Sequence, residues 1–344
     1  MKLRALAITA CALAALTLPA AAAAPYHVGK TAWGDPDLQG IWTNASVTTL
    51  ERPAKVKNLV LTPQEAAAME AEIKGALAVN DEVGSPPAAA GDSELKQAAT
   101  DKVGGYNSVW LDPGSKIAVV GGQFRSSWIV EPASGHVPYS AQGVRDMTAA
   151  AIPQFANFDG PEVRSLGERC IVGYGSTSGP PMLNVLYNNN YQFVQSPGFV
   201  TIVVEMNHDA RVIRLGGHHV PPNIRPWMGD SIGHFEGDTL VVETTNLNPG
   251  QRFTADIRHR IYLAPDSRVT ERFTRVSADT ILYQFTVEEP KAYTQTWKGE
   301  IPMHATTKAM YEYACHEGNH AMEGILRGAR VLEADAAAKK GASK

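Results

Sequence analysis

Two-residue alternation of apolar and polar positions dominates the chain between Asn190 and Glu289. The segments "NYQFVQS", "FVTIVVEM", "RVIRL", "IGHFE", "TLVVETTN", "RVTERFTRV" and "ILYQFTVEE" each read as a strand with one buried face. Pro197-Gly198, Asn207-His208-Asp209, Gly237-Asp238 and Ser277-Ala278-Asp279 separate them as short turns. Turns this short predict antiparallel neighbours. "TQTWKGEIPM" reads as a closing strand, and "SSWIVEP" and "HVPY" flank Ala133-Ser134-Gly135 as an earlier hairpin.

Such a meander protects its edges by closing into a barrel or packing as a sandwich. Gly40-Ile41-Trp42, which opens the first strand, resembles the G-x-W start of lipocalin-like barrels. A β-propeller is the alternative, but no blade-length repeat is visible. The expected fold is therefore mostly β: an antiparallel meander closed as a lipocalin-like barrel or sandwich, with helical segments near both ends. Thr62 as N-cap, Pro63 at the first helical position and good helix formers from Glu65 to Leu77 predict the N-terminal helix. From Val79 to Asp101 the Ala, Gly, Pro, Ser and acidic content predicts a mobile loop. Helical texture returns from about Thr307.

The first 24 residues read as an export signal. Lys2 and Arg4 precede an apolar run from Ala5 to Leu18, and Ala21 and Ala23 suit cleavage near Ala24 or Pro25. The run is too short for a stable membrane span. An alternative places a lipid on Cys11 after Ile8-Thr9-Ala10. The expected division is 1–24 signal peptide, 25–125 N-terminal segment with one strand, one helix and the mobile loop, 126–306 antiparallel β body, and 307–344 helical tail. Localisation is periplasmic or secreted.

The formal charge is −4, with 31 Lys and Arg against 35 Asp and Glu, and two of the cations lie in the leader. That balance argues against nucleic acid as partner. Outside the leader the cysteines are Cys170 and Cys315. In an exported chain the pair predicts a disulfide, and the bridge pins Cys315 and its neighbours to the β body.

"YNNNYQFVQSPGFVTIVVEMNHDARVI", "WMGDSIGHFEGDTLVVETTN", "ERFTRVSADTILYQFTVEEP" and "YEYACHEGN" resemble a widespread family of exported bacterial proteins of unassigned function. "DLQGIWTN" and "IVEPASGHVPY" extend the likeness toward the N-terminus. The resemblance implies an exported, mostly β protein and supplies no reaction. It also implies that the shared pattern ends at "HEGN", which leaves His320 outside it.

Three groups of residues are candidates for chemistry. His316-Glu317-Gly318-Asn319-His320 spells H-E-x-x-H. On a helix His316 and His320 share a face and can hold zinc while Glu317 activates its water. Gly318-Asn319 is instead a helix-stop pair, and Glu323 replaces the glycine of the longer zinc motif. The competing reading is a turn in which His316 and Glu317 bond locally or line a pocket without metal. In the second group, strand alternation puts Glu205 with Thr201 and Val203, Glu243 with Val241 and Thr245, and Glu271 with Val269, Phe273 and Arg275. A barrel interior holding Glu205, Glu243 or Glu271 beside Arg272 or Arg275 would supply a general acid or base; the same carboxylates also fit a solvated face. In the third, the loops hold His208, Asp209, Arg211, His218, His219, Asp230 and His234, with Trp227 as an aromatic wall. Gathered at one end of a scaffold, they suit proton transfer or ligand binding.

No nucleophile elbow, P-loop or Rossmann glycine pattern is present. The sequence thus points to binding or cofactor-free acid/base conversion of a small organic molecule in a β-scaffold pocket. The alternatives are a metal-dependent hydrolase, with zinc as the metal on His316 and His320 or a metal on the loop histidines, and a non-catalytic envelope binding protein.

Overall fold

The fold was analysed as a computed structural model, which describes residues 26–82, 111–255 and 259–342. The expected leader and most of the expected mobile loop lie outside the described residues. In chain order the strands are β1 (Gly40–Thr43), β2 (Val60–Leu61), β3 (Val119–Val120), β4 (Gln123–Arg125), β5 (Ile129–Glu131), β6 (Asn190–Ser196) and β7 (Phe199–Val204). They continue with β8 (Ala210–Leu215), β9 (Asp230–Glu236), β10 (Thr239–Thr245), β11 (Phe253–Ala255) and β12 (Arg260–Tyr262). The last are β13 (Arg268–Ser277), β14 (Thr280–Glu288) and β15 (Trp297–Ala305).

Nine of these close a barrel in the order β1-β6-β7-β8-β9-β10-β13-β14-β15, with β15 pairing back to β1 through Trp42 opposite Ala305. The barrel expected from the meander is therefore present. One junction corrects the antiparallel expectation. β8 and β9 run parallel, Ile213 facing Ser231, because residues 216–229 cross over instead of turning back. A second correction concerns β5. It pairs with β15 through Lys298 and Glu131 and does not form a hairpin with "HVPY". The first stave, Gly40–Thr43, also lies well before residue 126, so the barrel draws on the N-terminal segment. That segment holds β2, β3 and β4 as well, which make a small sheet of their own.

Side chains pack through the barrel interior. Phe193, Phe273, Tyr283, Phe285 and Trp297 form a run of touching rings with centroids 4.9–5.7 Å apart along Phe193–Phe273–Tyr283–Phe285–Trp297. All are at most 2% exposed. Full burial of each such ring is worth roughly 1.5–3 kcal/mol. The Gly/Ser/Pro-rich segment around Ser176–Leu183 packs into the same core. Its Met182 N–H donates to the Tyr283 hydroxyl (2.9 Å), and its Thr177 carbonyl accepts from the Tyr191 hydroxyl (3.0 Å).

Helix α1 (Pro63–Glu82) begins as the sequence predicts. Glu65 Oε2 accepts from the Thr62 N–H at 2.7 Å, while Thr62 Oγ1 accepts from the Glu65 N–H at 3.2 Å, a capping box. Helix α2 (Ala141–Ala156) breaks the expectation that helical texture resumes only near Thr307. Ser140 caps it by accepting from the Gly143 N–H. The α3 helix (Ala321–Ala342) forms the tail, and its residues from Val331 to Gly341 are exposed. No helix among the described residues is long and apolar enough to cross a membrane.

Candidate functional site

The turn from β7 to β8 organises one end of the barrel. Alternation ends at Val204. Glu205 takes a helical backbone conformation (φ −59°, ψ −42°), and Asn207 and His208 follow with positive φ. The chain thereby swings the Glu205 side chain out of the strand pattern, and Glu205 ends up 2% exposed. One of its oxygens accepts from Asn190 Nδ2 and the other from the Tyr311 N–H, both at 2.8 Å. His208 Nε2 accepts from the Tyr313 N–H at 3.1 Å. Asp209 faces the other way and accepts from the Gly173 N–H (2.8 Å) and the Ser178 hydroxyl. Burial raises the Asp209 carboxyl above its ordinary range, and these hydrogen bonds offset that only in part.

This turn therefore grips both the segment at 173–178 and the chain at 311–313. The two are also joined covalently, since Cys170 and Cys315 form the expected disulfide with Cα atoms 5.7 Å apart. Between them lies a cleft of about 890 Å³, walled by Tyr174, Tyr187, Tyr311 and Tyr313 and reached by Glu205. The Tyr187 and Tyr313 rings are within 12° of parallel, centroids 6.5 Å apart. Desolvation, reinforced by the neighbouring phenol Tyr187, pushes the Tyr174 hydroxyl up to about 12. Desolvation likewise raises Tyr313, with Tyr187 and Tyr174 adding to it. Tyr174 and Tyr313 are therefore hydrogen-bonding groups in their neutral form at physiological pH.

The remaining candidates separate into distinct places. Arg211 and Glu271 lie inside the barrel, 3% and 0% exposed. They form a bidentate pair at 2.9 and 2.5 Å, with the Tyr283 hydroxyl donating to the same carboxylate at 2.7 Å. Burial alone would lower the pKa of Arg211; the charge and hydrogen bonds of Glu271 outweigh it and raise it. The partner of Glu271 is thus Arg211, not Arg272 or Arg275. Arg272 pairs with Glu236 on the outside, and Arg275 sits over the Trp42 ring and donates to the Asp37 carbonyl. Such a sealed pair braces the core and is not positioned to meet a ligand.

His219 stands between Asp230 (Nδ1, 2.8 Å) and Glu243 (Nε2, 3.1 Å). Asp230 also takes both terminal nitrogens of Arg214, and Arg268 reaches Glu243 at 3.4 Å. Hydrogen bonds from Arg214, then from His219, bring the Asp230 pKa down to about 2. This cluster clamps the 216–229 crossover onto β9 and β10. Glu243 lies on the outer face, because Leu240, Val242 and Thr244 point inward. His218 contributes its carbonyl to Arg214, and His234 is exposed beside Glu236. Trp227 packs over Gly250, where an added Cβ would meet its ring at 3.0 Å. Neither His218, His234 nor Trp227 reaches the tyrosine cleft.

His316, Glu317 and His320 are exposed. Gly318 has φ +63°, the chain turns there, and α3 begins only at Ala321. The helical spacing required by the zinc reading is therefore not met: the two histidines flank a left-handed glycine. Sequence reasoning missed Tyr174, Tyr187, Tyr311 and Tyr313 as a group. Their one local signal is "YEY" beside Cys315, which places two aromatic rings next to a disulfide anchor. Comparison with protein-family models, with curated proteins and with solved structures returns no match.

Proposed function

We propose that this chain is an exported small-molecule-binding protein whose site is the tyrosine-lined cleft at the end of the barrel, not the barrel lumen. The observation that carries the reading is convergence. Segments 187–190 and 205–208 meet 311–315, about a hundred residues further along the chain, around one cavity, held by hydrogen bonds from Glu205 and His208 and by the bridge from Cys315 to Cys170. Its size of about 890 Å³ is in the range of small-ligand sites, and its aromatic walls with a few convergent polar groups have the usual composition of such sites. The lumen is occupied by aromatic packing and by the buried Arg211–Glu271 pair. The leader pattern, the resemblance to exported proteins and the disulfide support export.

Ligand-observed NMR with a set of small aromatic fragments tests this on the full chain. Fragments that bind the wild type should lose binding in the Tyr187→Leu/Tyr313→Leu variant. Fragments that bind wild type and variant alike would sink the proposal.

A further inference from the structure

We propose that the cleft selects an organic cation, a small molecule carrying an ammonium or comparable charged nitrogen on a compact or planar apolar body. This rests on the cleft being the binding site and adds the chemistry of its ligand.

The first support is the charge inventory. Asp112, Glu205 and Glu312 line the cleft against the single cation Lys308, and Lys308 lies 3.9 Å from Asp112. Glu205 and Glu312 are left without a balancing positive charge among the described lining residues. The second support is the state of Glu205. It is 98% buried, and its partners, an amide side chain and a backbone N–H, are both neutral. A buried carboxylate without a cation is expensive. A ligand that brings the missing charge recovers part of that cost, whereas an anionic ligand adds repulsion. The third support is independent of charge count. Four tyrosines wall the same cavity, and the negative faces of their rings attract cations. A carboxylate set among aromatic rings is the arrangement that recognises substituted ammonium groups, because the rings accept the apolar substituents that a bare carboxylate would leave unsolvated.

Isothermal titration of the full chain with three probes of one benzyl framework tests the inference: benzyltrimethylammonium, benzyl alcohol and benzoate. The cation should bind at least ~10-fold more tightly than the alcohol, and benzoate should not bind detectably. Glu205→Gln should weaken the cation ~5- to 10-fold and narrow its advantage over the alcohol. Glu312→Gln, at an exposed position, should weaken the cation ~2- to 5-fold and serves if the Glu205 variant fails to fold. Equal binding of cation and alcohol, unaffected by Glu312→Gln, would overturn the cation inference and leave the cleft reading standing. No binding of any probe, or binding indifferent to Tyr187→Leu/Tyr313→Leu, would overturn both.

Discussion

Arg211 and Glu271 show how much depends on single side chains here. With both groups essentially unexposed and hydrogen-bonded to each other, removing one leaves an unpaired charge in the core. Arg211→Met should therefore lower stability by about 3–5 kcal/mol in urea unfolding, and Arg211→Met/Glu271→Leu should recover part of the loss. Two aspartates should titrate in opposite directions. Asp230 falls from 3.8 to about 2 on folding. Its stabilisation is complete above the unfolded value near 3.8 and is lost as pH drops through about 2. Asp230→Asn should cost about 2 kcal/mol at pH 7, with the gap to wild type closing between about pH 4 and 2. Asp209 is raised by burial, so its ionisation opposes folding. That penalty is absent at low pH and grows as pH rises through the folded value. Carboxyl-carbon NMR titration should find Asp209 above, and Asp230 below, the ordinary carboxylate range.

At the level of elements, turn chemistry made the hairpins readable. Pro197-Gly198 and Gly237-Asp238 sit between β6 and β7 and between β9 and β10, as alternation predicts. The disulfide was readable because only two cysteines lie outside the leader-like segment. The parallel β8–β9 junction was not, since nothing in residues 216–229 reports strand direction. Glu205 was misplaced because period-two reasoning assumes extended backbone, and the chain leaves that conformation at this residue. Helix α2 was missed; its sequence includes Gly143 and Pro153, both poor helix signals. Gly143 is there for space, because a Cβ would strike the Ala292 carbonyl. Gly299 likewise faces the Phe285 ring, so Gly299→Val should destabilise by at least ~2 kcal/mol through overpacking, measurable as a lowered urea midpoint. Cutting the Cys170–Cys315 bridge, which spans 145 residues, should cost up to ~5 kcal/mol by chain entropy. Hydrogen exchange at the Tyr311 and Tyr313 amides should accelerate on reduction, since their hydrogen bonds to Glu205 and His208 then lack the covalent anchor beside them.

For the whole molecule, closure of the meander as a barrel or sandwich was legible and the candidate cleft was not. Closure follows from many local turns that all favour pairing. The cleft follows from four tyrosines on three separate segments, and no spacing rule joins residues 174, 187 and 313. The outer half of α3 is peripheral: truncation after Arg330 should change unfolding free energy by no more than ~0.5 kcal/mol. The pairing of β1 with β15 has a further consequence, in time rather than space. Trp42 and Ala305 stand at opposite ends of the barrel-forming sequence, so the first stave to be synthesised must wait for the last. A chain emerging in N-to-C order cannot seal this barrel until residue 305 is out. Until then the strand edges of β1 and β14 that β15 will cover remain open. High contact order of this kind makes for slow folding and a long exposure of those edges. Cys315 lies ten residues further on, so the bridge to Cys170 cannot form before the last stave is out.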